Sequence, residues 1–573
     1  MEAVARAAQG ANLGLSPAAR AGGGSMWRSQ PRSAGAAVPR VGSAPWIARA
    51  GSRGRREFAS RGRRELKLPP ASPAGRVRAS TTVRASVASS SSSGSQGPNG
   101  DDKLEPTLGL GKKGRMAKMV DMSQSEDEGL QGVQVFLVEF GLIAMGVVDT
   151  LMVGHVGESA LAAACLGGTT TWLVMITAIG LLGALDPLTS QAFGAQDDES
   201  VKRHLRSGLY AAALLTAGCM LIMCLAAAPL YALCGQPVAL AAAAAQYCHI
   251  EAWGILPVLL FQAIRLSLMG TNVFAPLVSA IMIANATNAA LNQVLVNGAS
   301  VAGITIPAFG LTGAAWATAT SRWILFFLTC AFAAKELRHR EAFKLARESI
   351  GSACERACGI IKRSLPIGGQ MLMEFGAFMA IGLIAGRCGM TQAAGHAIVQ
   401  CLTDMSYVLP LGIGALGSIK VGQGVGGGDG QEAQRAARTS MLNGVYGVAI
   451  NAFIYVVFGK QICWWFTSDP AVHAVAVSIL PVVAAYQAAD GLRVVSAGCL
   501  RGVGRLNAAL VSDVVGFWIL GIPIGYYLAL PMGMSAMGIW LGFAFGVIAV
   551  MTPICWKAWN VGSRPEKLLD ATA

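Results

Sequence analysis

From residue 131 to residue 556 the chain is a succession of apolar stretches, each long enough to cross a bilayer as a helix, which takes about 20 residues. They fall at 131–153, 167–190, 208–233, 247–269, 275–296, 310–334, 362–386, 394–421, 438–460, 476–500, 508–530 and 534–556. The spacing predicts an all-α polytopic membrane protein with twelve transmembrane helices. Its composition, 53% hydrophobic and 13% charged, lies outside the range of ordinary soluble domains.

The formal net charge of +14 suggests a nucleic-acid partner until it is located. Residues 1–100 hold 15 Arg and one Lys against Glu2, Glu57 and Glu65, which is +13 of the +14, so the rest of the chain is close to neutral and no nucleic-acid partner is expected. That first segment is rich in Arg, Ala, Ser and Gly and lacks an apolar run long enough for a secretory signal, which are the features of a transit peptide. Residues 1–85 are therefore read as a removable presequence. VRASTTVRASVASSSSSG resembles a chloroplast cleavage region, with Val83-Arg84-Ala85 as the candidate site, and a mitochondrial presequence is the alternative. Residues 86–129 read as a polar, disordered linker. The 13 Cys are scattered, without CxxC pairs or His at zinc spacing, so neither a disulfide framework nor a metal site is expected.

Basic residues fall in alternate connections, and so on one side of the spans. Lys112, Lys113, Arg115 and Lys118 precede the first span, Lys202, Arg203 and Arg206 follow the second, and Lys335 to Arg363 separates the sixth from the seventh. Both termini are expected on the basic side, which is stroma in a plastid. The 335–361 connection divides six spans (130–334) from six (362–560), with 561–573 as a tail. Between the halves a pattern recurs: Gln191, Gly194, Asp197, Arg203 and Arg206 reappear 232 residues later as Gln423, Gly426, Asp429, Arg435 and Arg438. Six spans per half make this a parallel repeat, with a pseudo-two-fold along the membrane normal and a cavity expected at the interface.

A carboxylate inside an apolar helix costs roughly 2.5–3.5 kcal/mol unless neutralised, so such residues are candidates for function. Asp149 stands in VEFGLIAMGVVDTLMVGHVG, while Glu139 lies near the start of that run. Asn288 and Asn292, four apart, share a helical face and would complete a cation or proton site with Asp149, or else bridge helices. In the second half Glu374 lies in PIGGQMLMEFGAF, and Tyr486 and Asp490 share a face in AAYQAADGLRVV; Asp490 also fits an internal ion pair with Arg493. Asp404 reads either as a cavity residue or as part of that network. Asp186, just before Pro187, reads as a helix-terminus and gating-loop residue rather than a midplane acid. There is no GxxxxGK(S/T) phosphate loop and no Ser/His/Asp, HExxH or paired-cysteine constellation, so neither ATP-driven transport nor enzymatic activity is expected.

VDTLMVGHVGESALAAACLG, LDPLTSQAFGAQD, TNAALN with GLTGAAWATA after it, PIGGQMLMEFGAF and YQAADGLRVVSAGCLRGVG together resemble the multidrug and toxic compound extrusion (MATE) family over residues 130–560. The resemblance implies two six-helix bundles of the MATE/MOP fold and export of organic solutes against a proton or sodium gradient, with no cofactor beyond H+ or Na+. By resemblance Asp149, Asn288, Asn292 and Thr318 match an amino-terminal-lobe cation site, and Glu374, Tyr486 and Asp490 a carboxy-terminal-lobe one, so the coupling lobe stays open. LDPL resembles bacterial or plastid-type relatives, and with the presequence the best match is a plant or algal chloroplast-envelope member, with the mitochondrial inner membrane as alternative. A monomer in the bilayer, acting on a small organic solute, is expected. The rival readings are a lipid-linked precursor flippase, which calls for a basic central cavity, and a non-transporting scaffold or receptor, which leaves the buried acids unexplained.

Overall fold

The computed structural model describes residues 112–154, 156, 158–233, 237–301, 304–336 and 350–561. The transit-peptide and cleavage-site readings, the linker up to residue 111, residues 337–349 of the basic connection and the tail from residue 562 lie outside them.

The first half comprises α1 (Lys112–Gly154), α2 (Glu158–Gly180), α3 (Leu185–Gly194), α4 (Asp198–Leu233), α5 (Val238–Ala252), α6 (Ile255–Gly270), α7 (Ala275–Asn297) and α8 (Gly310–Glu336). Between α7 and α8 stands a hairpin of β1 (Ala299–Val301) and β2 (Ile304–Ile306), paired Ala299 to Ile306. The second half comprises α9 (Ile350–Arg387), α10 (Met390–Gly426), α11 (Gly430–Phe466), α12 (Pro470–Gly502), α13 (Asn507–Asp513), a π-helical stretch Val514–Gly521, α14 (Ile522–Ala529) and α15 (Ser535–Trp559).

Among the described residues, ten helices are long and apolar enough to span a bilayer, and α5 with α6, bent by 47°, makes an eleventh. The twelfth is α7, whose 23 residues are long enough but diluted in hydropathy by Asn285, Asn288, Asn292 and Gln293. The bend has a local cause. Pro257 has no N–H to offer the carbonyl of Trp253, and the indole Nε1 of Trp323 donates to that oxygen instead, at 3.2 Å.

Several helices outrun the apolar stretches. α9 starts at Ile350 rather than 362, α4 at Asp198 rather than 208, and backbone read as linker is helical from Lys112. Hydropathy falls where hydrocarbon gives way to water, whereas helical hydrogen bonding continues past that boundary. The second span is interrupted: four residues of turn, Leu181 to Ala184, precede α3, and the Ala184 amide donates to Ser364 Oγ on α9 at 3.0 Å.

The repeated residues form a seam between the halves. Gln191 Nε2 donates to the carbonyl of Gly502 at 2.9 Å, and Gln423 Nε2 to that of Gly270 at 3.0 Å. Both donors and both acceptors are related by the same offset of 232. A Cβ on Gly194 would run into the carbonyl of Gln423, and one on Gly426 into that of Gln191, so glycine is what lets these backbones touch. Asp197 and Asp429 cap the helices that follow: Asp197 accepts from the Ser200 amide at 3.0 Å, and Asp429 from the amides of Gln431 and Glu432 at 2.9 and 3.0 Å. The Ser200 hydroxyl and amide hold the Asp197 carboxyl below the usual carboxylate range. The seam lies at the ends of spans that the basic residues mark, so the halves are joined on the basic side.

Candidate functional site

In the first lobe Asp149 is buried near the far end of α1, away from the seam. Its Oδ1 accepts from Asn288 Nδ2 at 3.0 Å and Asn292 Nδ2 at 2.6 Å, and its Oδ2 from Thr318 Oγ1 at 2.6 Å. The four-residue spacing on α7 puts both amides on one side of the carboxylate, and α8 brings Thr318 to the other. The carbonyl oxygens Asn288 Oδ1 and Asn292 Oδ1 are buried without a hydrogen-bond partner. With Asp149 they are the atoms that a proton or a monovalent cation would use.

Asp149 lines a cavity of about 310 Å³ together with Thr150, Trp172, Tyr247, Glu251 and Arg322. Glu251 Oε2 and Arg322 Nη1 are paired at 3.0 Å. Two acids and one guanidinium leave the lining of this cavity one negative charge in excess, the charge that one proton or one sodium ion cancels.

In the second lobe the acids gather around Arg493. Its Nη2 donates to Glu374 Oε1 at 2.8 Å, its Nε to Asp490 Oδ1 at 2.8 Å and its Nη1 to Asp513 Oδ1. Arg493 and its three acids are at most 2% exposed. The hydroxyl of Tyr407 also donates to Glu374 Oε1, at 3.1 Å. The ion pair that α12 allowed between Asp490 and Arg493 is formed, and Glu374 joins it from α9. Tyr486 lies beside these acids without bonding to them: its ring packs edge-on against Trp540, and its hydroxyl has no hydrogen-bond partner.

Asp404 stands apart from this network. It accepts from Gln400 Nε2 at 2.9 Å and lines a cavity of about 420 Å³ with Phe378, His396 and Gln400. This cavity is the repeat partner of the first. Gly146, Thr150, Ala164, Gly168 and Trp172 line one, and Phe378, Gly382, His396, Gln400 and Asp404, each 232 residues on, line the other. The reading of Asp186 as a gating-loop residue needs correction. It is buried in the first turn of α3 and accepts from Ser418 Oγ at 2.7 Å, so it belongs to the interlobe seam. Ser418 is itself the repeat partner of Asp186.

Sequence reasoning missed Glu251, Arg322, Tyr407 and Asp513, and it underrated Glu139, which is buried and paired with Arg265, itself bonded to Gln262 Oε1 at 3.1 Å. A usable signal was present. Arg265, Arg322 and Arg493 each interrupt an apolar span, and a guanidinium there demands an acid from a neighbouring helix.

Comparison with known proteins places this arrangement. The MatE family model matches residues 135–294 and 366–527, one block in each half. The probable multidrug resistance protein NorM of Bradyrhizobium diazoefficiens is 31% identical over 436 residues, covering 72% of this chain and 88% of that protein. The multidrug resistance protein MdtK of Pectobacterium atrosepticum is 29% identical over 452 residues, covering 77% and 96%. Among solved structures, the eukaryotic MATE transporter AtDTX14 superposes with a TM-score of 0.67 over 78% of this chain and 99% of its own, at 20% identity, a likeness of fold. With each half of the repeat matched by its own block of one family model, the chain belongs to the MatE family.

Proposed function

We propose that the protein is a secondary active antiporter that exports small organic solutes by alternating access, driven by a proton or sodium gradient, with Asp149, Asn288, Asn292 and Thr318 as the principal coupling site. Membership of a family of transporters supports the class, and the names of the NorM and MdtK relatives support multidrug efflux. The observation that carries the coupling assignment is the cage around Asp149: three donors on one carboxylate, two unpartnered amide oxygens beside it, and a cavity in front. A proton or cation arriving there alters the hydrogen bonds that tie α1 to α7 and α8, and so biases one arrangement of the lobe over another. Seam bonds on the basic side and two cavities lined by residues away from them support a release-facing state of an exporter loading from the basic side. The presequence composition supports a plant- or algal-type protein of the chloroplast envelope, and the basic connections support both termini in the stroma.

Flux in proteoliposomes under imposed proton and sodium gradients, with a panel of cationic, phenolic and carboxylate solutes, tests the reading. Asp149→Asn should collapse gradient-driven export at unchanged protein level; wild-type exchange rates in that variant would remove Asp149 from the mechanism. Import of a reporter fused to residues 1–100 into isolated plastids and mitochondria tests the location separately.

A further inference from the structure

The two halves share a fold but not a charge pattern at their basic ends. Arg435 and Arg438 on α11 repeat Arg203 and Arg206, whereas Arg505 and Lys557 stand where the first half has Val273 and Leu325. Val273 and Leu325 are buried in one cluster with Val135 and Val138 of α1, while Arg505 and Lys557 are exposed. Ala437 of α11, Leu500 and Val503 around the end of α12, and Ile554 and Ala558 of α15 belong to one buried cluster, so three helix ends converge beneath these cations. Among the described residues none of Arg435, Arg438, Arg505 and Lys557 is ion-paired. Arg438 is built into its place: its guanidinium carbon stands 5.2 Å from the centre of the Trp559 ring, and its Nε is buried with no hydrogen-bond partner. A guanidinium stacked on an indole keeps its donors in a fixed fork, the geometry that receives a phosphate.

We propose that this surface, centred on Arg438 and Trp559, binds the headgroup of an anionic membrane lipid. Charge complementarity calls for an anion, and the surroundings call for one that carries an acyl chain. Trp556 and Trp559 are exposed at the end of α15, and indoles of this kind gather at the headgroup level of a bilayer. Leu442, Val445 and Tyr446 follow Arg438 on α11 at helical spacing and are exposed on its face of the helix. A lipid whose phosphate rests on Arg438 lays its tail along that apolar stripe, which a soluble phosphate or a nucleic acid would leave uncovered. Topology alone does not account for the patch. The orientation of the spans asks only for basic residues in the connections, whereas Arg438 lies two turns inside α11, which starts at Gly430. The surface also borders the seam. The turn that carries Arg505 follows Gly502, whose carbonyl accepts from Gln191 Nε2 at 2.9 Å, so a headgroup held there acts beside the contact that joins the halves.

Lipid binding is measured without flux, so it stands or falls apart from the antiporter reading. The delipidated full chain is titrated in detergent with phosphatidylglycerol or with phosphatidylcholine of the same acyl chains, and bound lipid is counted by native mass spectrometry. Wild type should retain phosphatidylglycerol in preference to phosphatidylcholine. Each cation at an anionic headgroup contributes about 5-fold in affinity, so Arg438→Gln/Arg505→Gln should bind phosphatidylglycerol roughly 25-fold more weakly, with phosphatidylcholine unchanged. Arg387→Gln, at the far end of α9, is the control and should bind as wild type does. If the double variant does not fold, Arg505→Gln/Lys557→Gln, altered only at exposed positions, should show a loss of the same order. Hydrogen exchange locates the site: peptides from the end of α15 and from the turn after Gly502 should exchange more slowly in nanodiscs containing phosphatidylglycerol than in phosphatidylcholine alone. Equal retention of the two lipids by wild type, or phosphatidylglycerol binding in the folded variants equal to that of wild type, would overturn the proposal. So would displacement of the lipid by glycerol phosphate, which would assign the surface to a soluble anion.

Discussion

Alanine at Gly194 or Gly426 should force the basic-side seam apart. The added Cβ would stand 2.7 Å from the carbonyl carbon of Gln423 in the first case and 2.6 Å from that of Gln191 in the second. Carbon atoms rest in contact at roughly 3.5–4.0 Å, so the backbones must part by about 0.8 Å or more. That movement stretches the Gln191–Gly502 and Gln423–Gly270 bonds, now 2.9 and 3.0 Å, out of useful range. Two such bonds are worth about 2 kcal/mol together, and overpacking adds about 1–3 kcal/mol. A bias of about 3–5 kcal/mol against the closed seam shifts the equilibrium between facing states by roughly 100-fold or more. Cys165 reports the shift, because it lines the Asp149 cavity. Its alkylation by a membrane-impermeant maleimide, followed peptide by peptide in a mass spectrometer, should slow in both variants to a similar extent, since the two glycines occupy equivalent places. Gly218→Ala is the control, as its Cβ would enter open space. Unchanged Cys165 labelling in both seam variants, or equal slowing in the control, would refute the argument.

Arg322→Met leaves buried Glu251 without its cation and should cost about 3–5 kcal/mol in thermal or denaturant stability, whereas Arg322→Met/Glu251→Gln recovers part of that loss. Asp197 gives a pH signature. A carboxyl held below the usual range in the folded chain contributes stability above its unfolded value and loses it as pH falls through the folded one. The melting temperature of Asp197→Ala should therefore trail wild type by a constant gap at neutral pH and converge with it in acid; a gap that widens in acid would contradict the assignment.

The twelve spans were readable because bilayer thickness imposes a length on apolar sequence, and the repeat was readable because one offset joined several polar and glycine positions. The Asp149 cage was half-readable: spacing put Asn288 and Asn292 on one face of α7, but the angle between α1 and α7 was not in either segment. α7 itself was readable at 275–296, although the asparagines that build the cage dilute its hydropathy. Arg493 shows the limit most sharply. Its neighbour Asp490 was visible three residues away in its own helix, while Glu374 and Asp513, 119 and 20 residues distant, meet it through packing that no local pattern encodes. Tyr486 shares a helical face with Asp490, yet its hydroxyl stays unbonded because Trp540 and Phe543 hold the ring.

The reciprocal glutamine bonds across the seam are those of an isologous contact, the kind by which two identical subunits meet on a two-fold axis. In a homodimer every substitution is imposed on both copies at once. Joined in one chain, the copies can diverge, and they have done so at the cavities: the partner of Asp149 is Ile381, and the partner of Asp404 is Trp172. Fusion has thus let one interface stay symmetric as a bearing while the two chambers above it acquired separate chemistries.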